Sequence, residues 1–190
     1  MPITIPVDVH LVTITVMNRS GPRPVLDHEI DFGLDVSHVQ TGIGHANLIW
    51  RSDFQFNMRT IQKVRSNPPG DTGVIGDQEK WFLYGQYPAR SGVSLICVRQ
   101  IGRIGGSGWV AGTSARERSI TMIGLSLNPL SWGQTLAHEF GHLLWLEHAD
   151  NDSGNLMYPS AQQGISLTPA QRQQALGSPL ARQFGAAPRR

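Results

Sequence analysis

The segment TLAHEFGHLLWLEHAD, residues 135–150, carries three of the seven histidines in the chain. On a helix, His138 and His142 lie one turn apart on one face, so their imidazoles can converge on a single point. Leu136, Phe140 and Leu143 fall on the other side and would fix that helix to a core. His148 is six residues beyond His142 and cannot share the same face at the same level. It reaches the common point only if the helix ends near residues 144–146 and the chain folds back. That requirement constrains the fold more than any other stretch.

The remaining composition sets the frame. A chain of 190 residues, 39% hydrophobic and 7% aromatic, suits one globular domain with a substantial core. Only 16% of residues are charged and the net charge is +2, with basic residues scattered apart from a closing PRR. No nucleic-acid partner is expected. No apolar run reaches 18 residues, so no membrane span is expected. A single cysteine, Cys97, excludes an intrachain disulfide and reads as a small buried hydrophobe. The N-terminal alternation MPITIPVDVHLVTITV lacks a basic leader and a cleavage site, as a mature or leaderless protein would.

Residues 3–16 read as a first strand, and residues 18–33 as an irregular, turn-rich segment. A helix follows to Trp50, with Ser37 and Gln40 as a capping box, although Gly42 and Gly44 argue against it. FQFNMR, after Asp53, reads as a half-buried strand. Residues 66–77 read as a loop, and residues 78–90 as a short helix or an ordered loop. GVSLICVRQI is apolar on both faces, as a central strand is. A glycine-rich bend, GRIGGSG, leads to a short edge strand at residues 109–113 and a further strand at 119–128. Ser131 and Gln134 form a second capping box, opening a helix over residues 132–144. Thr168, Pro169 and Gln171 open a third helix closed by Gly177. The fold class is α+β (α/β): a twisted mixed sheet with an edge strand, a backing helix, an active-site helix and a C-terminal helix.

HExxH on a helix is a zinc pattern, with Glu139 beside the first ligand as a general base. Catalytic zinc takes three protein ligands and keeps one position open. Such an ion brings the pKa of a bound water to about 7 and polarises a carbonyl oxygen. Glu139 would take the water's proton and hand it to a leaving amine.

HEFGHLLWLEH, followed by NLMYP whose Met157 stands nine residues after His148, resembles the metzincin clan of zinc endopeptidases, and the Met-Tyr-Pro wording is most similar to the matrixin-like branch. The close match covers residues 131–177, and upstream the likeness is one of element order. The resemblance implies that His138, His142 and His148 bind one catalytic zinc and that Glu139 is the base. It implies that Met157 lies beneath the metal and that Tyr158 and Pro159 wall the pocket for the residue after the scissile bond. It also implies peptide pairing along Trp109, Val110 and Ala111. On this reading residues 1–190 form a single catalytic domain. Residues 1–144 are its upper subdomain, with the sheet and active-site helix. Residues 145–190 are its lower subdomain, with the Met-turn and C-terminal helices.

Trp145 departs from the clan, which has glycine there. Glycine suits a helix end of positive φ, and another residue in that region costs on the order of 1–2 kcal/mol. Zinc ligation is worth about 10–16 kcal/mol in small domains, so the site should survive with the turn strained or reshaped. Trp145 reads as a core filler beside Leu146 in preference to a wall of the cleft. The matrixin structural zinc and calcium loop lacks its His and Asp here, so one Zn2+ and no calcium are expected. Pro159 excludes an astacin-type tyrosine ligand. Asp150 is a candidate partner for a ligand histidine, or a turn cap. His10, His28, His38 and His45 read as surface or satisfied histidines.

The sequence therefore points to a zinc metalloendopeptidase, monomeric, acting on proteins or peptides. Two alternatives share its residues: a zinc-binding but catalytically impaired binding module, and a narrow-target metallopeptidase toxin. Family habit implies secretion, the missing leader a cytoplasmic location.

Overall fold

A computed structural model describes residues 1–18, 25–33, 35–69, 74–102, 109–124, 128–159 and 164–185. The glycine-rich bend expected at residues 102–108 lies almost wholly outside the described residues, as do positions 125–127 of the strand expected at 119–128.

Strand β1 (Ile3–Asn18) is the spine of a six-stranded mixed sheet. It pairs in parallel with β3 (Phe54–Ser66) and with β4 (Val93–Cys97), and antiparallel with β2 (Val25–Ile30). Beyond β4 lie β8 (Ile120–Ile123), parallel to it, and β7 (Gly112–Ala115), antiparallel at the edge. A separate two-stranded ribbon joins β5 (Ile101–Gly102) to β6 (Trp109–Val110). This is the α+β architecture expected from the sequence.

Helices cover both faces, which is why β4 carries no polar alternation. Ile5, Val7, Val9 and Leu11 of β1, with Val93, Leu95 and Cys97 of β4, face α1 (Val36–Trp50) and α3 (Pro129–Leu143). Val12, Ile14 and Val16 of β1, with Ile96 of β4 and Met122 of β8, face α2 (Asp77–Gln86). Each large apolar side chain buried this way contributes roughly 1.5–3 kcal/mol. Two short helices, α4 (Pro169–Leu176) and α5 (Pro179–Phe184), complete the chain. No helix among the described residues is long and apolar enough to cross a membrane.

Several sequence expectations are corrected. The stretch at 18–33 contains strand β2, whose residues 26–29 are exposed and give no alternation. Of the two readings of residues 78–90 the helix holds, as α2, capped by Glu79 Oε2 accepting from the Gly76 amide at 3.0 Å. The cap of α1 is Asp35, which accepts from the His38 amide at 2.9 Å, while Ser37 only hydrogen-bonds Asp35. The cap of α3 is Asn128, with Pro129 opening the helix, three residues before Ser131. The cap at Thr168 with Pro169 and Gln171 is as expected. Gly42 allows α3 to cross α1 closely. A Cβ on Gly42 would lie 2.2 Å from Cε3 of Trp132.

Candidate metal centre

Helix α3 is fixed to the core through Trp132, Leu136, Ala137, Phe140 and Leu143, all buried. The indole of Trp50 donates to the Ala137 carbonyl at 3.1 Å, so α1 sets the height of α3. The opposite face presents His138 and His142. The helix stops at Leu144, as His148 requires. The Trp145 amide donates to the His142 carbonyl at 3.0 Å, and the Leu146 amide to the Gly141 carbonyl at 3.0 Å. These two bonds form a Schellman motif with Trp145 at its left-handed position, φ 67°. The chain then reverses and returns His148 to the face left by His142.

The three ligand atoms of His138, His142 and His148 lie within 4.8 Å of one another. His138 Nδ1 donates to the Leu156 carbonyl at 2.7 Å, and His142 Nδ1 to the Leu146 carbonyl at 2.9 Å. Those bonds fix the tautomer that leaves each Nε2 as a lone pair facing the cluster. Nε2 of His142 and Nε2 of His148 are 3.2 Å apart. A tetrahedral centre with Zn–N bonds of about 2.0–2.1 Å places ligand nitrogens roughly 3.3 Å apart, so the cluster fits one zinc ion. Burial holds His138 down to about pKa 4, with His142 and His148 adding repulsion, and burial also lowers His142. Both are therefore neutral at pH 7, as ligands must be. The partners that orient these two imidazoles are main-chain carbonyls, and Asp150 is exposed.

Glu139 is 5% exposed. Burial pushes its carboxyl up to about 7, opposed by a hydrogen bond from Ser114 Oγ at 2.6 Å to Oε2. Ser114 belongs to β7, the edge strand that runs beside α3. The sequence places the edge strand at residues 109–113, whereas the structure has it at Gly112–Ala115. Trp109 and Val110 pair with Gly102 and Ile101 in the small ribbon, and Ala111 forms the bend between the two.

Met157 is fully buried, against α3, where a Cβ on Gly141 would lie 2.4 Å from its sulfur. Its amide donates to Asn155 Oδ1 at 2.9 Å, and its carbonyl accepts from the Ala149 amide at 2.9 Å. Asn155 and Gln171 exchange two amide hydrogen bonds, at 2.9 and 3.1 Å. Tyr158 is half-buried and Pro159 exposed.

Trp145 corrects the expectation of a core filler. It is 42% exposed, while Leu146 is buried. Its ring lies 5.2 Å from the guanidinium carbon of Arg116, which also pairs with Glu147 at 2.5 Å. Gln174 Nε2 donates to the Trp145 carbonyl at 2.6 Å, tying α4 to the turn. A left-handed position directs its side chain away from the helix, so apolar character at 145 does not signal burial. His148 is not displaced by the tryptophan. Sequence reading missed Ser114, Gly112, Asn155, Gln171 and Gln174 around the site. Only Gln171 carried a local signal, its place in the α4 capping box.

No model of a known protein family matches this chain, and no curated protein sequence does. Solved structures share the fold, among them a zinc-dependent peptidase from Methanocorpusculum labreanum, with a TM-score of 0.50 at 13% identity over 88% of this chain and 99% of that one. The fold is also similar to that of the archaemetzincins. The one from Methanopyrus kandleri superposes with a TM-score of 0.57 at 12% identity, over 91% of this chain and 94% of that one. The one from Archaeoglobus fulgidus, complexed with malonate, gives 0.56 at 11% identity, over 90% and 99%. Metalloproteinase-II from Bacteroides fragilis gives 0.55 at 17% identity, over 93% of this chain and 53% of that one.

Proposed function

We propose that this chain is a zinc-dependent metallopeptidase, an endopeptidase of the metzincin type. The observation that carries the reading is the convergence of three imidazoles, two of them oriented by main-chain carbonyls, beside a buried carboxylate. His138, His142 and His148 would hold the ion. Zinc bound there would acidify a water and polarise the scissile carbonyl. Glu139 would accept the proton of that water and deliver it to the leaving amine, a task suited to a carboxyl whose pKa lies near neutrality. Met157 would floor the site. The Met157-Tyr158-Pro159 wording supports a matrixin-like branch, in which Tyr158 and Pro159 shape the pocket after the scissile bond. An extended peptide would add to the outer edge of β7, entering along Trp109, Val110 and Ala111. No strand among the described residues pairs with that edge, which supports cleavage within a chain. The boundary between an upper part, 1–144, and a lower part, 145–190, would fall at the Trp145 turn.

Metal analysis of the purified chain and cleavage of casein and a broad peptide library test this. One zinc per chain is expected, with cleavage abolished by chelation and by Glu139→Gln. Absence of a tightly held transition metal, or cleavage indifferent to Glu139→Gln, overturns the reading. Bound zinc with no cleavage of the library favours a binding module.

A further inference from the structure

Two residues of β7 touch Glu139. Gly112 and Ser114 are two apart on a strand and so face the same way, toward α3. A Cβ on Gly112 would lie 2.7 Å from Glu139 Cγ, 2.8 Å from Oε1 and 2.9 Å from Cδ. Gly112 is not among the described glycines of positive φ, so the position needs space and not backbone freedom. Ser114 Oγ lies 2.6 Å from Glu139 Oε2, within the range of a charge-assisted bond.

Ser114 is itself held. Thr121, opposite it in the β7–β8 register, is fully buried, and its Oγ1 lies 3.0 Å from Ser114 Oγ. The Glu139 carbonyl lies 3.2 Å from the same hydroxyl. An ionised carboxylate can only accept, so Ser114 donates to it.

We propose that β7 is a clamp for Glu139, with Gly112 making room for the carboxylate and Ser114 fixing it through Oε2. Both are positioning residues, and the proposal rests on the peptidase reading above. It assigns the edge strand a task besides pairing with substrate. Gly112 and Ser114 set where the base sits, and no strand among the described residues pairs with the outer edge of β7.

The zinc-loaded full chain is compared with Ser114→Ala, Ser114→Thr and Gly112→Ala. Loss of one hydrogen bond to a charged group should lower kcat about tenfold or more in Ser114→Ala. KM and zinc content should stay native. Ser114→Thr keeps the hydroxyl and should stay near the native rate. Gly112→Ala should lose kcat while retaining zinc. Native kcat in Ser114→Ala overturns the clamp and leaves the peptidase reading standing. If the native chain cleaves nothing, the peptidase reading fails, and a crystal structure of zinc-loaded Ser114→Ala decides the clamp. A carboxylate that leaves β7 supports it, and one that stays overturns it.

Discussion

Gly133 of α3 crosses α1 so closely that a Cβ on it would lie 2.6 Å from the carbonyl oxygen of Gly42 and 2.8 Å from Cβ of His45. The contact is backbone against backbone, and it sets how deeply the histidine-bearing helix lies in the core. Helix propensity alone would make Gly133→Ala stabilising by about 1 kcal/mol. Overpacking of the crossing costs roughly 1–3 kcal/mol and should win, since neither backbone can retreat. Gly44→Ala, on the exposed face of α1 with nothing within 4 Å, has only the propensity term. Chemical denaturation should show opposite signs for the two variants. Stabilisation by both would mean the helices separate at little cost.

Trp145→Gly should stabilise the chain. Relief of the left-handed strain is worth about 1–2 kcal/mol, against roughly 0.5–1 kcal/mol for the exposed Arg116 contact. Leu146 and Gln174 continue to hold the turn, so zinc affinity should be unchanged. A lower unfolding midpoint in the variant would show that the tryptophan contributes more through its contacts than it costs in backbone strain.

How far the sequence discloses this molecule follows from the range of the interactions. Ligand geometry is local: with His138 and His142 a turn apart, His148 forces the reversal after residue 144, so the end of α3 is legible. Strand β3 is only half legible. Val7 pairs with Met58 but Asp8 with Thr60, so Arg59 bulges out and the alternation of its second half loses phase. The caps at Asp35 and Asn128 stand just ahead of serines that mimic them. The contact of Ser114 with Glu139 spans 25 residues and joins an edge strand to a helix, so no local pattern records it.

The Arg59 bulge brings an acid-sensitive contact. Arg59 Nε donates to Asp8 Oδ1 at 2.9 Å, its Nη2 pairs with Oδ2, and Thr60 Oγ1 adds a bond at 2.8 Å. The Arg59 guanidinium, with help from Thr60, holds the Asp8 carboxyl below its ordinary value. A folded pKa below the unfolded one adds stability above the unfolded pKa, about 3.9, and loses it as pH falls through the folded value. Asp8→Asn should therefore melt below the native chain at pH 7, with the gap closing below about pH 4. A gap independent of pH would mean that packing at the bulge, and not charge, is what Asp8 supplies.

Asn155 joins the Met-turn to α4. It is 2% exposed, and its amide satisfies the Met157 amide and both ends of the Gln171 side chain. Asn155→Ala would leave buried donors and acceptors unpaired, at a cost of about 1–3 kcal/mol. The next residue, Leu156, supplies the carbonyl that orients His138. Loosening this segment should therefore also weaken zinc binding, by about 10-fold to 100-fold if the carbonyl is displaced. Denaturation of the metal-free chain measures the first effect and competition with a zinc indicator the second. If stability falls while zinc affinity holds, the Asn155–Gln171 pair supports the lower fold without orienting His138. If neither changes, Met157 is held by its burial under α3 alone.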